Sequence, residues 1–361
     1  MRINILSPGR FYVLDLAREL DALGHNVRFY SYVPTKRAVK FGLRKECSYS
    51  LFFIMLPFLC IARLFPSVNR YVVVIQDYLT AWLMRPCDVL IAMSGSYIYS
   101  LKYAKAKFNA KIIIERGSKH ILEQKRILEN VPSLKGSKPV LDIHVKRELE
   151  SYDLCDYVSI PSEHVRKSFL ERGYPENKLF INPFGVMLKD FYPMSKESNY
   201  DMIMVGSWCY RKGCDLLVQA CEELKLKLLH VGSIADMNFP SSDCLVHVDP
   251  VDQFELVKYY AQSKIFVLPS REEGLALVQP QALACGLPIV CSQHTGGRDI
   301  ANITGLNQWV FEMEVYSVEA LKTEIVKALN FCKTKNVAEL ELSNLSWKAY
   351  GMRYKSFLDK V

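Results

Sequence analysis

The sequence predicts an α/β protein built from two doubly wound, Rossmann-like domains that face each other across a cleft. Three observations lead there. At 361 residues the chain is long for a single core. Short β-branched and apolar runs alternate with stretches of helical apolar spacing, the pattern of a parallel sheet covered on both faces. The alternation also starts afresh beyond a joint near Pro183–Pro193.

Taken in order, Arg2–Leu6 reads as the first strand and "SPGR" as its turn. "FYVLDLARELDALGH" then places Leu14, Leu16, Ala17, Leu20 and Leu23 close to helical spacing, with Gly24 as the stop. "NVRFYSY" restores a strand, and further strands are expected at Asp88–Met93, Lys111–Glu115, Tyr157–Ile160 and Lys178–Ile181. Beyond the joint, "YDMIMVGS", "LKLLHVGS", "CLVHV", "KIFVLPS" and "LPIVCS" read as short buried strands. This divides the chain into domains at 1–190 and 191–345, with a closing helix at 346–361 expected to pack back on the first. Ligands of such sheets bind beyond the carboxyl ends of the strands.

The totals exclude several classes. Half the residues are apolar and 23% charged, as in an ordinary globular protein. The opening "MRINIL" lacks a signal-peptide pattern, so a cytoplasmic location is expected. Eleven cysteines with no C-x-x-C fit reduced thiols rather than metal ligands. The net charge of +8 is uneven: residues 1–190 hold 29 Lys/Arg against 18 Asp/Glu, and residues 191–361 hold 17 against 20. The basic first half implies an anionic partner.

From Cys47 to Ala62, sixteen residues carry no charge, fewer than the roughly 20 needed to cross a bilayer, and Pro57 interrupts them. Two readings stand. The stretch is a buried or half-buried helix, or a membrane-surface patch beside Lys36, Arg37, Lys40, Arg44 and Lys45.

The chemistry concentrates at Ser270–Val290, "SREEGLALVQPQALACGLPIV". A strand delivers the chain to the sheet edge and "REEG" turns it. Pro280 then sits in the first turn of a helix that Gly286 ends. Amides near Leu277–Gln279 suit an anion. Glu273 suits sugar hydroxyls, and Glu272 is expected to be a solvated bystander. "VGSWCYRKG" at Val205–Gly213 supplies Arg211 and Lys212, which are either a solvated basic pair or a phosphate site.

Together these stretches resemble the retaining glycosyltransferases of family 4, which have the GT-B fold. "EGLALVQPQALACGLPIV" is similar to that family's Glu–x7–Glu segment, "VGSWCYRKG" to its basic loop, and "SPGRFYVLDLARELDALGHNV" to its N-terminal pattern. The resemblance spans nearly the whole chain. It implies a metal-independent enzyme without cofactor, using a UDP- or GDP-linked sugar donor and a glycan or lipid-linked glycan acceptor. It assigns Glu273 to the donor sugar, with the amides of Gly274, Leu275, Ala276 and Leu277 beside the sugar and phosphate. Lys212 and Arg211 neutralise the departing diphosphate, and Gly9 faces it from the other domain. Val251, in "VDPVDQF", holds the base. His120 sits near the reacting sugar, with Arg116 and Ser118 as neighbours; His25 is structural.

Two positions depart from the pattern. The second acid is Gln281 here, and Ser207 stands where many members carry Arg. These departures motivate the alternative of a non-catalytic nucleotide-binding scaffold. The first turn has no G-x-G-x-x-G, which argues against a nicotinamide oxidoreductase. Nucleic-acid binding rests on charge alone and is not expected. The expected partners are thus a nucleotide-sugar, a glycan acceptor and, through the basic first half, an anionic membrane surface on which the chain would lie peripherally.

Overall fold

The computed structural model describes residues 1–65, 68–134, 139–195 and 198–361. The first domain starts with β1 (Arg2–Leu6), α1 (Val13–Ala22), β2 (Asn26–Ser31), α2 (Thr35–Lys40) and β3 (Ser48–Ser50). It continues through α3 (Phe52–Leu64), α4 (Asn69–Leu83), β4 (Val89–Met93), α5 (Ile98–Phe108) and β5 (Lys111–Glu115). It ends with α6 (Ile121–Glu129), α7 (Asp142–Leu154), β6 (Tyr157–Ile160), α8 (Glu163–Leu170) and β7 (Leu179–Ile181). These strands form one parallel sheet in the order β3-β2-β1-β4-β5-β6-β7.

The second domain repeats the design with β8 (Tyr200–Val205), α9 (Cys214–Leu224), β9 (Leu228–Val231), β10 (Leu245–Val248), α10 (Leu256–Tyr260) and β11 (Ser263–Leu268). There follow α11 (Val278–Ala284), β12 (Ile289–Ser292), α12 (Gly297–Thr304), β13 (Val310–Met313) and α13 (Val318–Phe331). Its parallel sheet runs β10-β9-β8-β11-β12-β13. The central strands are apolar on both faces: Ile3, Ile5, Leu90, Ile91, Ile113, Ile203, Phe266 and Val267 are all buried. This two-sided burial is why they read as continuous apolar runs rather than alternating ones.

Both sheets reverse their winding at the middle, between β1 and β4 and between β8 and β11. Ligand crevices lie at such switch points. The loops leaving β1, β5, β8 and β11 therefore carry the candidate residues. The short edge strands β3 and β13 escaped the sequence reading because three or four residues carry too little periodicity.

The chain recrosses between domains beside α14 (Trp347–Leu358). The Val186 amide donates to the Leu345 carbonyl, and the Trp347 amide returns a bond to the Val186 carbonyl. A Cβ on Gly185 would lie 2.6 Å from the Trp347 nitrogen, so only glycine allows this approach. α14 then packs on α1, and the Tyr354 hydroxyl donates to Glu115 at the end of β5 (2.7 Å). All eleven cysteines are unpaired, eight of them buried. Among the described residues no helix is long and apolar enough to cross a membrane.

Glu115 is fully enclosed, and burial pushes its carboxyl up to about 7 against the Tyr354 bond and the neighbouring Ser159 and Tyr12 hydroxyls, which favour the ion. A raised carboxyl holds its proton longer in the folded state, so its contribution is complete at low pH. It is lost as pH rises through about 7, to the extent of about 3 kcal/mol. Glu115→Gln keeps an acceptor for Tyr354 but removes the ionisation. Its melting temperature should match wild type at acidic pH and exceed it at mildly alkaline pH; parallel melting curves across that range check this.

Candidate active site

The site grows from two loops of the second domain. After β8, residues Tyr210–Lys212 form one tight turn before α9. After β11 the chain turns through "SREEG". A bidentate pair joins the loops: Arg271 holds Asp215 at 2.6 and 2.7 Å and also donates to the Tyr210 carbonyl. The Arg271 amide bonds the Arg211 carbonyl at 2.8 Å. The basic turn is thereby fixed against the acidic one.

Glu273 accepts that geometry. Its Oε1 lies 2.7 Å from the Lys212 Nζ and 3.2 Å from the Arg211 guanidinium. Burial alone would lift its carboxyl. Lys212 and Arg211 outweigh that cost and hold it below the usual carboxylate range. The proximity of Glu273 likewise raises the Arg211 guanidinium above its usual value. These are close ion pairs rather than well-aligned hydrogen bonds, because Glu273 Oε1 has no hydrogen bond of good geometry.

Glu272 points the other way, into the first domain. Its side chain is fully buried and accepts from the Ser118 hydroxyl, from Gln124 Nε2 (3.1 Å) and more weakly from the Lys119 amide (3.4 Å). Gln124 also accepts from Arg116, whose guanidinium bonds the Lys119 carbonyl and pairs with Glu148 at 2.8 Å. The domains touch directly here: a Cβ on Gly274 would lie 2.0 Å from the Gly117 carbonyl. The Ser162 hydroxyl donates to the Gly274 carbonyl at 2.8 Å. His164 Nε2 reaches the Glu273 carbonyl at 2.9 Å and so must carry the proton. Burial pushes His164 down to about 4, leaving it neutral at physiological pH.

Beside this seam lies a cavity of about 870 Å³. Its polar wall includes Ser94, Ser96, Arg116, Gln124 and Glu148 of the first domain, and Arg211 reaches it from the second. A second junction clasps the loop after β10. Arg10 donates to Gln253 Oε1 at 2.6 Å and lies 3.5 Å above the Phe41 ring, which stacks on Phe254. Lys40 pairs with Asp252 at 2.9 Å.

The family described as "Glycosyl transferases group 1" matches residues 199–330, most of the second domain. An uncharacterized glycosyltransferase of Methanocaldococcus jannaschii is 23% identical over 223 residues, 58% of this chain. The match spans 61% of that relative's length. Sucrose-phosphate synthase from Thermosynechococcus elongatus superimposes with a TM-score of 0.69 at 17% identity, covering 100% of this chain and 98% of that one. Anabaena HepE, solved in complex with UDP and glucose, superimposes at 0.66 with 11% identity and complete coverage of both chains. This chain has the GT-B fold.

The GT-B architecture brings Arg211, Lys212 and Glu273 together, and sets Arg116 and Ser118 one contact away through Gln124 and Glu272. Leu275 and Ala276 are buried, and the Ala276 amide is already bonded to the Thr295 carbonyl (3.3 Å). The Gly9 carbonyl accepts from Ser7, and the Ser207 hydroxyl rests 3.1 Å from that of Ser233. Gln281 makes its side-chain contact elsewhere, accepting from the Tyr260 hydroxyl at 3.3 Å. Leu277 precedes α11, and Gly286 and Leu287 close that helix with amide bonds to Leu283 and Ala282.

Two expectations are corrected. His120 does not face the cleft: its Nδ1 caps α6 by accepting from the Leu122 amide, and its ring packs against Tyr152 and Phe169. Burial, then Arg116, pushes it down to about 4. Glu272 is not solvated but buried in the domain seam. Gln124, His164 and Arg10 went unsingled in the sequence, because their partners lie more than a hundred residues away.

Removing Glu272 strands Ser118 and Gln124 in the seam. Glu272→Ala should cost about 1–3 kcal/mol, with Glu272→Gln costing less. Urea denaturation monitored by circular dichroism measures both.

Proposed function

We propose that this protein transfers a glycosyl unit from a nucleotide-sugar to an acceptor hydroxyl, retaining the anomeric configuration and needing no metal. The observation that carries the reading is the Arg211–Lys212–Glu273 cluster at the switch point of the second domain. Lys212 rests on Glu273 and Arg211 lies between Glu273 (3.2 Å) and Glu272 (3.7 Å), so an entering diphosphate would compete with these carboxylates for two cations already gathered at one point. The group 1 match covers the segment that holds all three residues, and HepE, which shares the fold, was solved with UDP and glucose.

In this mechanism the donor's diphosphate enters beside Lys212 and Arg211, which turn part of their charge from Glu273 to the phosphate oxygens. Glu273, still ionised, accepts hydrogen bonds from the sugar hydroxyls. The bond between the anomeric carbon and the phosphate oxygen breaks, and the electron pair leaves with the diphosphate. Lys212 and Arg211 stabilise that developing charge in a water-poor seam, where such stabilisation is strongest. The acceptor hydroxyl attacks from the face the leaving group vacates and passes its proton to a departing phosphate oxygen. The 870 Å³ cavity, walled by Arg116, Gln124 and Glu148, is the place for the acceptor. Its mixed polar and apolar lining suits a glycan, free or lipid-linked, of the kind used in surface polysaccharide synthesis.

Calorimetry with UDP, GDP and ADP tests the donor site. One nucleotide should bind, and Lys212→Ala should weaken it by roughly tenfold or more, the worth of a charge-assisted bond. Transfer or donor hydrolysis should fall about a hundredfold or more in Lys212→Ala. Unchanged rates in both Lys212→Ala and Glu273→Ala would remove the mechanism.

Gln281 offers a gain-of-binding check. A carboxylate there accepts two bonds from a ribose diol, whereas the amide accepts and donates. Gln281→Glu should tighten the nucleotide by about 1–2 kcal/mol, roughly five- to thirtyfold, in the same titration.

A further inference from the structure

The α3–α4 pair exposes an apolar face that no part of the described chain covers. Phe53 is 84% exposed, Trp82 78% and Leu64 74%; Ile61 and Phe65 join them along α3, and Tyr78 along α4. Thirteen residues of α3 carry one charge, Arg63. Met55, Ala62 and Val72 form the small buried cluster that holds the two helices together, so the outward face is left over after packing is complete. A monomer rarely leaves contiguous large apolar side chains uncovered without a use for them.

Charge says what covers the face. Residues 34–108 hold eleven Lys/Arg against three Asp/Glu, a net +8 that equals the charge of the whole chain. Exposed Lys36 and Arg37 lie on α2, which packs beside β3 as that strand runs into α3. On α5, packed against α4, exposed Lys102 and Lys105 turn to α7, where they meet Glu150 (2.7 Å) and the Leu154 carbonyl (3.1 Å), and exposed Lys107 lies in the last turn. The basic helix α2 thus borders the apolar pair, and on the α5 side Tyr78 packs at a tilt against Tyr99 (4.4 Å between ring centres). A symmetric second copy would set two +8 segments against each other, which like-charge repulsion disfavours. An anionic bilayer satisfies both features, taking the apolar face into its hydrocarbon boundary while its headgroups meet the lysines.

We infer that the α3–α4 face seats the protein on an anionic lipid bilayer, with Phe53, Leu64 and Trp82 inserted. Val73 of α4 also lines the 870 Å³ cavity, so the seated helix is shared by the bilayer surface and the proposed acceptor site. The inference deepens the lipid-linked acceptor reading, yet its test needs neither donor nor acceptor, so the two can fail separately.

Trp82 is a built-in reporter because Trp208, Trp309 and Trp347 are buried. The full chain is mixed with phosphatidylglycerol-containing vesicles carrying brominated acyl chains, and with phosphatidylcholine vesicles, at low and high salt. Trp82 emission should shift to the blue and be quenched on the anionic vesicles at low salt, with binding weakened at high salt. Phe53→Ser/Leu64→Ser/Trp82→Ser should lower vesicle affinity at least about tenfold in flotation while keeping the wild-type melting temperature. Lys36→Glu/Arg37→Glu/Lys105→Glu should lose the preference for anionic lipid. Wild-type protein that stays in solution with unquenched emission overturns the inference. So does a triple-serine variant that floats like wild type, or a face found covered by a stable homodimer in sedimentation.

Discussion

Two neighbouring carboxylates, Glu272 and Glu273, are buried back to back at the junction of the domains, and the rest of the site depends on how they are compensated. Removing an ion from water costs several kcal/mol unless partners of good geometry replace the solvent. Their hydrogen-bond partners differ, yet Arg211 lies near both, 3.2 Å from Glu273 and 3.7 Å from Glu272. Glu272 is satisfied by Ser118 and Gln124 of the first domain, Glu273 by Lys212 and Arg211 of the second. Arg211 also reaches Glu272 from the second domain, so the two acids share a cation while drawing their other partners from different domains.

That division shapes the chemistry the site can support. Glu272 is spent on structure, anchoring "REEG" to the loop after β5. Glu273 stays ionised because its cations are close, and those cations sit where a diphosphate would lie in the proposed reaction. Arg271 and Asp215 keep the basic turn from drifting, a role neither residue could fill without the other. On the far side, Arg10, Phe41 and Lys40 hold the loop that contains Val251 and Gln253. Both loops of the proposed donor site are therefore in contact with the first domain.

The corrections share one cause. His120 and Glu272 were judged from their local setting: a histidine beyond a strand end, and an acid in a polar turn. Their environments come from elsewhere in the chain. His120 meets Tyr152 and Phe169, which enclose its ring and leave its nitrogen the task of capping α6. Glu272 meets Gln124, nearly 150 residues away. The uncharged stretch at 47–62 is a related case. Its helical character was legible from Phe52 onward, while Ser48–Ser50 form β3 instead, and whether a neighbour covered the helix depended on α4, which packs with its own aromatic face turned outward.

The sequence by itself determined the two doubly wound sheets, the strands at Arg2–Leu6, Lys111–Glu115 and Tyr157–Ile160, and the loops that carry Arg211, Lys212 and Glu273. Those features follow from periodicity, turn residues and short-range spacing, which a linear string records. Tertiary structure alone decided which acid faces which domain, that His120 is a cap, that Arg10 clasps the loop after β10, and that the α3–α4 face is left bare. Each of these is set by desolvation and by partners brought together across long loops, and burial has no expression in the chain until both sheets are in place.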